Sequence, residues 1–234
     1  MLLSGYAHAQ ERVTTVGIQF KPMFSNSFFG VSAYQSSNEQ FSTNIQPKFG
    51  MNMGMVIRKG ITKNWSFETG ICFVQRNFSA LVKPMNLSDS LVMTYRMIAY
   101  EIPLQALVFV KLGERLYMNA SGGCSLDFYP SNVESYATAV QDTNRFDIIQ
   151  KTWRRSWIQP ALIANYGFEW RTKSKGSIYA GVTYHRPFQR LGTVELLMEE
   201  NSKPSRDYIQ IKGSYLTFDL KYFFHEKPAS GRRG

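Results

Sequence analysis

Apolar and polar residues alternate with a period of two in segment after segment, and the connections between segments are short and long by turns. This constrains the fold of the chain more than any other feature. In Met51-Asn52-Met53-Gly54-Met55-Val56-Ile57-Arg58 the odd positions are apolar and the even ones mostly small or polar. Side chains two apart on a strand share a face, so one face of this ribbon meets oil and the other something wet. Eight segments follow the rule, at about Val13 to Phe24, Lys48 to Lys59, Trp65 to Phe78, Thr94 to Leu112, Leu116 to Tyr129, Trp157 to Arg171, Ser177 to Phe188 and Ser214 to Phe224.

Few residues separate segments two and three, four and five, and six and seven. Gly30 to Pro47, Val82 to Met93, Pro130 to Ser156 and Gln189 to Gly213 read as long polar loops. Short turns on one rim and long loops on the other are the arrangement of a membrane barrel with periplasmic turns and outward loops. The expected fold is all-β: an eight-stranded antiparallel up-and-down transmembrane β-barrel. No run approaches the roughly 18 apolar residues of a membrane helix, and a bilayer admits only helices or closed barrels. Composition alone leaves a soluble β-sandwich open. A lipocalin-like barrel would carry its apolar side chains inside. Here Arg58, Glu68, Arg76, Glu101, Lys111, Asp127, Glu169, Arg171, Asp219 and Lys221 share the face opposite the aromatics, which makes the inner face the polar one.

These ten charges, with Lys21, are expected to form a structural lumen network, because buried charges need partners. Arg58 and Glu68 fall near each other across the second hairpin, and closing the last strand on the first brings Asp219 near Lys21. Membrane-interface aromatics are expected at Trp65, Tyr117, Trp170, Tyr222 and Phe224 on the short-turn rim. On the other rim they are Phe24, Phe78, Phe128, Trp157, Tyr184 and Tyr215.

The net charge of +10 is scattered, with no recognition helix or zinc-ligand spacing, so nucleic acid is not an expected partner. Cys72 and Cys124 fall on opposite faces and read as free thiols, and three histidines give little for a metal. Ala7-His8-Ala9 matches the small-x-small site of a signal peptidase, with a disordered tail as the alternative. The expected organisation is residues 1–9 as the remnant of a secretory leader whose start lies upstream, 10–224 as the barrel, and 225–234 as a polar periplasmic tail.

Tyr100-Glu101-Ile102-Pro103-Leu104, in the fourth segment, and Phe49-Gly50-Met51-Asn52-Met53-Gly54, opening the second, resemble the small OmpX-like and PorT-like outer-membrane β-barrel domains often called porin-family proteins. The resemblance covers about Val13 to Phe224 and implies a Gram-negative outer-membrane location. An eight-stranded lumen holds little beyond its own side chains. The expected function is therefore a closed barrel acting as scaffold, adhesin or receptor through its extracellular loops. The expected partners are outer-membrane lipids, lipopolysaccharide and extracellular or envelope proteins; the barrel is expected to be a monomer without cofactor, metal or catalytic residues. A small diffusion channel is the alternative. A lipid A-modifying enzyme would need a nucleophile beside a histidine. The barrel histidine is His185, on the seventh segment; Ser121 and Ser125 sit on the fifth, read as well round the wall from it.

Overall fold

The structure, a computed structural model, describes residues 13–24, 34–85, 90–141, 144–200 and 203–225. The leader and nearly all of the tail expected from the sequence lie outside these residues. Thirteen strands, all paired antiparallel, make up the described fold. They are β1 (Thr14–Phe24), β2 (Tyr34–Ser37), β3 (Phe41–Gly60), β4 (Trp65–Pro84), β5 (Leu91–Lys111), β6 (Leu116–Phe128), β7 (Val133–Gln141), β8 (Asn144–Arg154), β9 (Ile158–Arg171), β10 (Ser177–Pro187), β11 (Gly192–Glu200), β12 (Lys203–Ile211) and β13 (Tyr215–Phe223).

The larger sheet runs β1-β13-β10-β9-β6-β5-β4-β3-β2, and β1 also pairs with β3. The run from β1 to β3 therefore returns to its own start, and each of its strands has a neighbour on both sides. Its short connections lie together at one end, where Thr62 Oγ1 accepts the Trp65 N–H at 3.1 Å and Gly176 turns the chain at φ +86°. That φ belongs to the left-handed region, which glycine enters without steric cost.

Strands β3, β4 and β5 are 20, 20 and 21 residues long and overrun the others. Their far ends, with β2, face a second sheet of order β12-β11-β8-β7. Phe41, Ile45, Phe78, Val82, Met93 and Met97 from the first sheet join Phe146, Ile148, Val194, Leu196 and Ile209 from the second in one buried apolar cluster.

Polarity inverts along these long strands. In β4 the outward side chains run Trp65, Phe67, Thr69, Ile71, Phe73 and then Gln75, Asn77, Ser79; the inward ones run Ser66, Glu68, Gly70, Cys72, Val74, Arg76 and then Phe78, Ala80, Val82. In β3 the register shifts between Lys48 and Met51, a bulge that moves the inward face from Phe41, Thr43 and Ile45 to Gly50, Asn52, Val56 and Arg58.

This corrects the expectation that the ring strands are joined by four long loops. Strands fill most of 30–47, 130–156 and 189–213, and β4 and β5 run into 82–93. Requiring apolar side chains to face outward misses them, because here the apolar face is turned inward. Phe78 and Tyr215 are corrected for the same reason: both are buried and point inward rather than joining an outer belt.

Candidate functional site

Inside the ring the inward positions of adjoining strands stack into two polar layers. In the layer nearer the short turns, Arg58 and Glu68 are direct cross-strand partners. Arg58 Nη2 lies 3.0 Å and Nε 3.1 Å from Glu68 Oε2, while Nη1 bonds Glu169. Lys221 donates to Glu68, and Arg171 Nε to Glu169 at 2.5 Å. Lys21 Nζ stands 3.5 Å from Asp219, whose Oδ2 also accepts from Asn165 at 3.0 Å and Thr183 at 2.5 Å. Aromatic rings take the cation faces: Arg58 sits 3.8 Å from the Phe223 centroid, a favourable arrangement where water is excluded. Tyr179 fills the middle of the lumen, its hydroxyl 2.7 Å from Asn165 Oδ1. Gly167 and Gly181 face each other beside it, and a Cβ on Gly181 would lie 2.0 Å from that hydroxyl.

Further up, five strands converge on one knot. His185 Nε2 lies 3.1 Å from Ser125 Oγ, 3.2 Å from Asp127 Oδ2 and 3.8 Å from Glu101 Oε2. Arg76 Nη2 is 3.3 Å from Asp127 Oδ2, and Tyr215 donates to Glu101 at 2.7 Å while stacking on the His185 ring at 4.4 Å. The spacing of Ser125 well round the wall from His185 is thereby corrected. Strands β6 and β10 are separated by β9 alone, and the lumen is narrow enough for their inward side chains to touch.

Ser125, His185 and Asp127 do not form a nucleophilic triad. Serine and carboxylate meet the same ring nitrogen, whereas a relay needs them on opposite nitrogens. His185 Nδ1 has no partner, and all three groups are buried. Glu101, Asp127 and His185 present ligand atoms within 4.8 Å of one another, close enough for a metal ion. Both carboxylates already have strong donors, however: Asp127 has Arg76 and Ser125, and Glu101 has Tyr215. A divalent ion beside the Arg76 guanidinium would leave more positive than negative charge in a dry site. The chemistry this arrangement supports is mutual neutralisation.

Of the residues singled out from the sequence, Lys21, Arg58, Glu68, Arg76, Glu101, Asp127, Glu169, Asp219 and Lys221 are buried in the interior, and Arg171 is half-buried at its rim. Lys111 is a correction: it is exposed, because β5 ends there at the open short-turn rim. Tyr117 is another. It packs inward against Arg171, 3.9 Å from its centroid, and takes no part in the outer belt. Trp65, Trp170, Tyr222 and Phe224 are exposed on the outside near the short turns, and Trp157 is exposed near the other end, with Tyr184 half-buried. Edge-to-face pairs Phe24–Phe49, Phe73–Tyr100 and Phe128–Trp157 mark that upper level.

Outside the ring, the second sheet turns a mixed face outward. Tyr136, Trp153 and Tyr208 are 69%, 47% and 56% exposed. Between them Glu195 accepts from Trp153 Nε1 at 2.9 Å and from Tyr208 at 3.2 Å, and Lys151 pairs with Glu134 at 3.1 Å. This face is not legible in the sequence, where its strands have the composition of polar loops.

The family described as "Outer membrane protein beta-barrel domain" matches residues 25–194, well over half of the chain. No curated protein matches the sequence. Among solved structures, the outer membrane protein OprG from Pseudomonas aeruginosa superposes with a TM-score of 0.53 at 9% identity, over 95% of this chain and 100% of that one. That likeness is one of fold. The outer membrane protease OmpT from Escherichia coli aligns over 93% of this chain and 100% of its own, but at 9% identity and a TM-score of 0.38 it bears on neither fold nor activity. The chain is a member of the outer-membrane protein β-barrel domain family, resident in the outer membrane of a Gram-negative bacterium.

Proposed function

We propose that the closed run of strands is an eight-stranded transmembrane barrel with periplasmic short turns, and that the protein is a non-catalytic, monomeric scaffold or receptor whose second sheet meets extracellular partners. The observation that carries this reading is the contrast between a filled interior and a furnished exterior. Among the described residues the lumen is occupied by ion pairs and rings and an apolar core covers it, which supports a closed interior over a solute route. The outward face of β7, β8, β11 and β12 instead carries exposed Tyr136, Trp153 and Tyr208 among salt-bridged charges. Rigid aromatics give large contact area at small entropic cost, and partner-binding surfaces are rich in them.

Deleting 130–156 or 189–213, the simple test if these were loops, would strip the cover from the inward face of β3, β4 and β5. The sharper test keeps the sheet and changes its surface. Tyr136→Ala, Trp153→Ala and Tyr208→Ala together leave folding intact and abolish binding of cells displaying the protein to a panel of extracellular-matrix and envelope proteins. Unchanged binding, or no binding by the parent, sinks the receptor reading. Steady openings of the purified protein in a planar bilayer would return the channel reading in its place.

A further inference from the structure

Above the level where β1 ends, the described strands leave an interval along the edge of β3. Pairing of β1 with β3 stops at Met23 and Gly50, and β2 takes up the same edge at Tyr34 and Ile45. The bulge of β3 lies in the interval. A small cleft, partly open to the outside, sits here, lined by Pro47, Lys48 and Arg76 and by Lys212 and Gly213 from the link between β12 and β13.

Its lining contains three cations and no carboxylate. Lys48 and Lys212 are exposed, while Arg76 is 4% exposed and forms the inner end. The Arg76 guanidinium is fixed in place: Nη1 donates to the Gly213 carbonyl at 2.8 Å and Nη2 to Asp127 at 3.3 Å. A Cβ on Gly213 would lie 2.4 Å from Nη1, so glycine is what lets the guanidinium come this near. Its Nε, although buried, has no partner among the described residues. A buried N–H without an acceptor is costly, and a fixed one is ready for an anion. Lys212 is held as well, because the Tyr34 hydroxyl accepts its N–H at 2.5 Å and donates to its carbonyl at 3.0 Å. Met23 and Phe78 supply an apolar side to the same cavity. The outward pair Phe24–Phe49 adjoins it, since Phe24 follows Met23 and Phe49 follows Lys48.

We propose that this cleft binds the phosphate of an outer-leaflet lipid head group. Arg76 Nε–H and the ammonium groups of Lys48 and Lys212 hold the anion, and Met23 and Phe78 pack against the apolar atoms next to it. This rests on the membrane placement proposed above, which puts the aromatic pair at the head-group boundary. A soluble phosphate would use the three cations but would gain nothing from Met23, Phe78 and an opening beside lipid-facing rings.

The test uses the full chain in detergent micelles, with retained lipid counted by native mass spectrometry. The probes are short-chain phosphatidic acid, short-chain phosphatidylcholine and inorganic phosphate. The parent is expected to retain phosphatidic acid in preference to phosphatidylcholine, and Lys48→Ala/Lys212→Ala to lose about tenfold or more in that affinity. Gly213→Ala, which displaces the guanidinium, is expected to weaken retention with both lysines present. Equal retention by parent and double variant overturns the site, as does equal retention of the two lipids. Inorganic phosphate competing as well as the lipid reassigns the cleft to a soluble anion and overturns the lipid source. Heat-modifiable gel mobility after insertion into vesicles, run on the same variants, separates this failure from failure of the membrane placement. If the parent does not insert, the placement falls; if it inserts and the lipid result is negative, the cleft assignment alone falls.

Discussion

The lower and upper halves of β4 belong to one continuous strand, yet they obey opposite rules. From Trp65 to Phe73 the strand turns mostly apolar side chains outward and Glu68 inward; from Gln75 to Ser79 it turns Gln75, Asn77 and Ser79 outward, with Phe78, Ala80 and Val82 inward. On the membrane placement proposed above, what differs between the halves is the surrounding medium. Where hydrocarbon lies outside, apolar side chains gain by facing it, and the confined interior is left to polar groups that satisfy one another. Where water lies outside, the hydrophobic effect draws the apolar set inward in the usual way. Sheet geometry is indifferent to which face is buried, so a single bulge in β3 and a change of side-chain order in β4 and β5 serve both media.

The comparison breaks most visibly if each half is given the other's failure. Glu68→Gln leaves Lys221 and one side of Arg58 without their carboxylate, and a buried ion pair that loses one partner costs ~3–5 kcal/mol. Urea unfolding from lipid vesicles is expected to show that loss over the whole barrel. Phe41→Ala, in the upper core, costs a similar ~3–5 kcal/mol by cavity formation. It is expected to act locally, raising amide exchange in the second sheet while heat-modifiable gel mobility stays. If Phe41→Ala abolished insertion instead, the two halves would be one cooperative unit.

A smaller effect tests the boundary itself. Leu104→Arg and Met53→Arg, on the outer face near mid-height, are expected to cost ~2–4 kcal/mol of insertion stability. Ser79→Arg, outward on β4 but above the aromatic level, is expected to cost almost nothing in the same vesicle titration. An equal penalty at Ser79 would move the bilayer boundary upward and erase the contrast.

The smallest effect lies on the outermost face. The Tyr136 hydroxyl and the Lys151 ammonium hold the exposed Glu134 carboxyl below its usual range. A folded pKa below the unfolded one contributes stability that is present above the unfolded value and lost as pH falls through the folded one. Acidification below the ordinary carboxylate range is therefore expected to loosen the β7–β8 pair slightly, seen as faster amide exchange there and no change in the ring. Faster exchange in the ring at the same pH would show that the two regions titrate together.

How much of this was legible in the sequence follows the same division. The turns at 61–64, 112–115 and 172–176 and the outward faces from Val16 to Phe224 can be read directly, because a membrane wall shows an apolar face that nothing else in the chain shows. The upper sheet is hidden, since β7, β8, β11 and β12 alternate like ordinary soluble strands and their polar faces look like loop. The knot of Glu101, Asp127, Ser125 and His185 is hidden for another reason. Each residue's inward direction can be read from its own strand, but their meeting depends on heights across the lumen set by registers in between, Glu101 opposite Asp127 and His185 opposite Ile163. Lys111 shows the converse: its parity is inward, but at a strand's last residue there is no longer an interior to face.

The pairing of β1 with β13 has a consequence for how such a molecule is made. Gly17 lies opposite Phe223, so the first and last of the described strands share one seam, with Lys21 and Asp219 bonded across it. The junctions from β1 through β3 and round to β10 can form between stretches that arrive earlier, but both junctions of β13 wait for that strand. Bringing together segments so remote in the chain is slow by its nature. Until it happens, two bare strand edges stay open, an invitation to pair with any other unfinished copy. The seam thus decides whether the wall closes at all: without β13, one edge of β1 and one edge of β10 stay bare, although β1 keeps β3 on its other side.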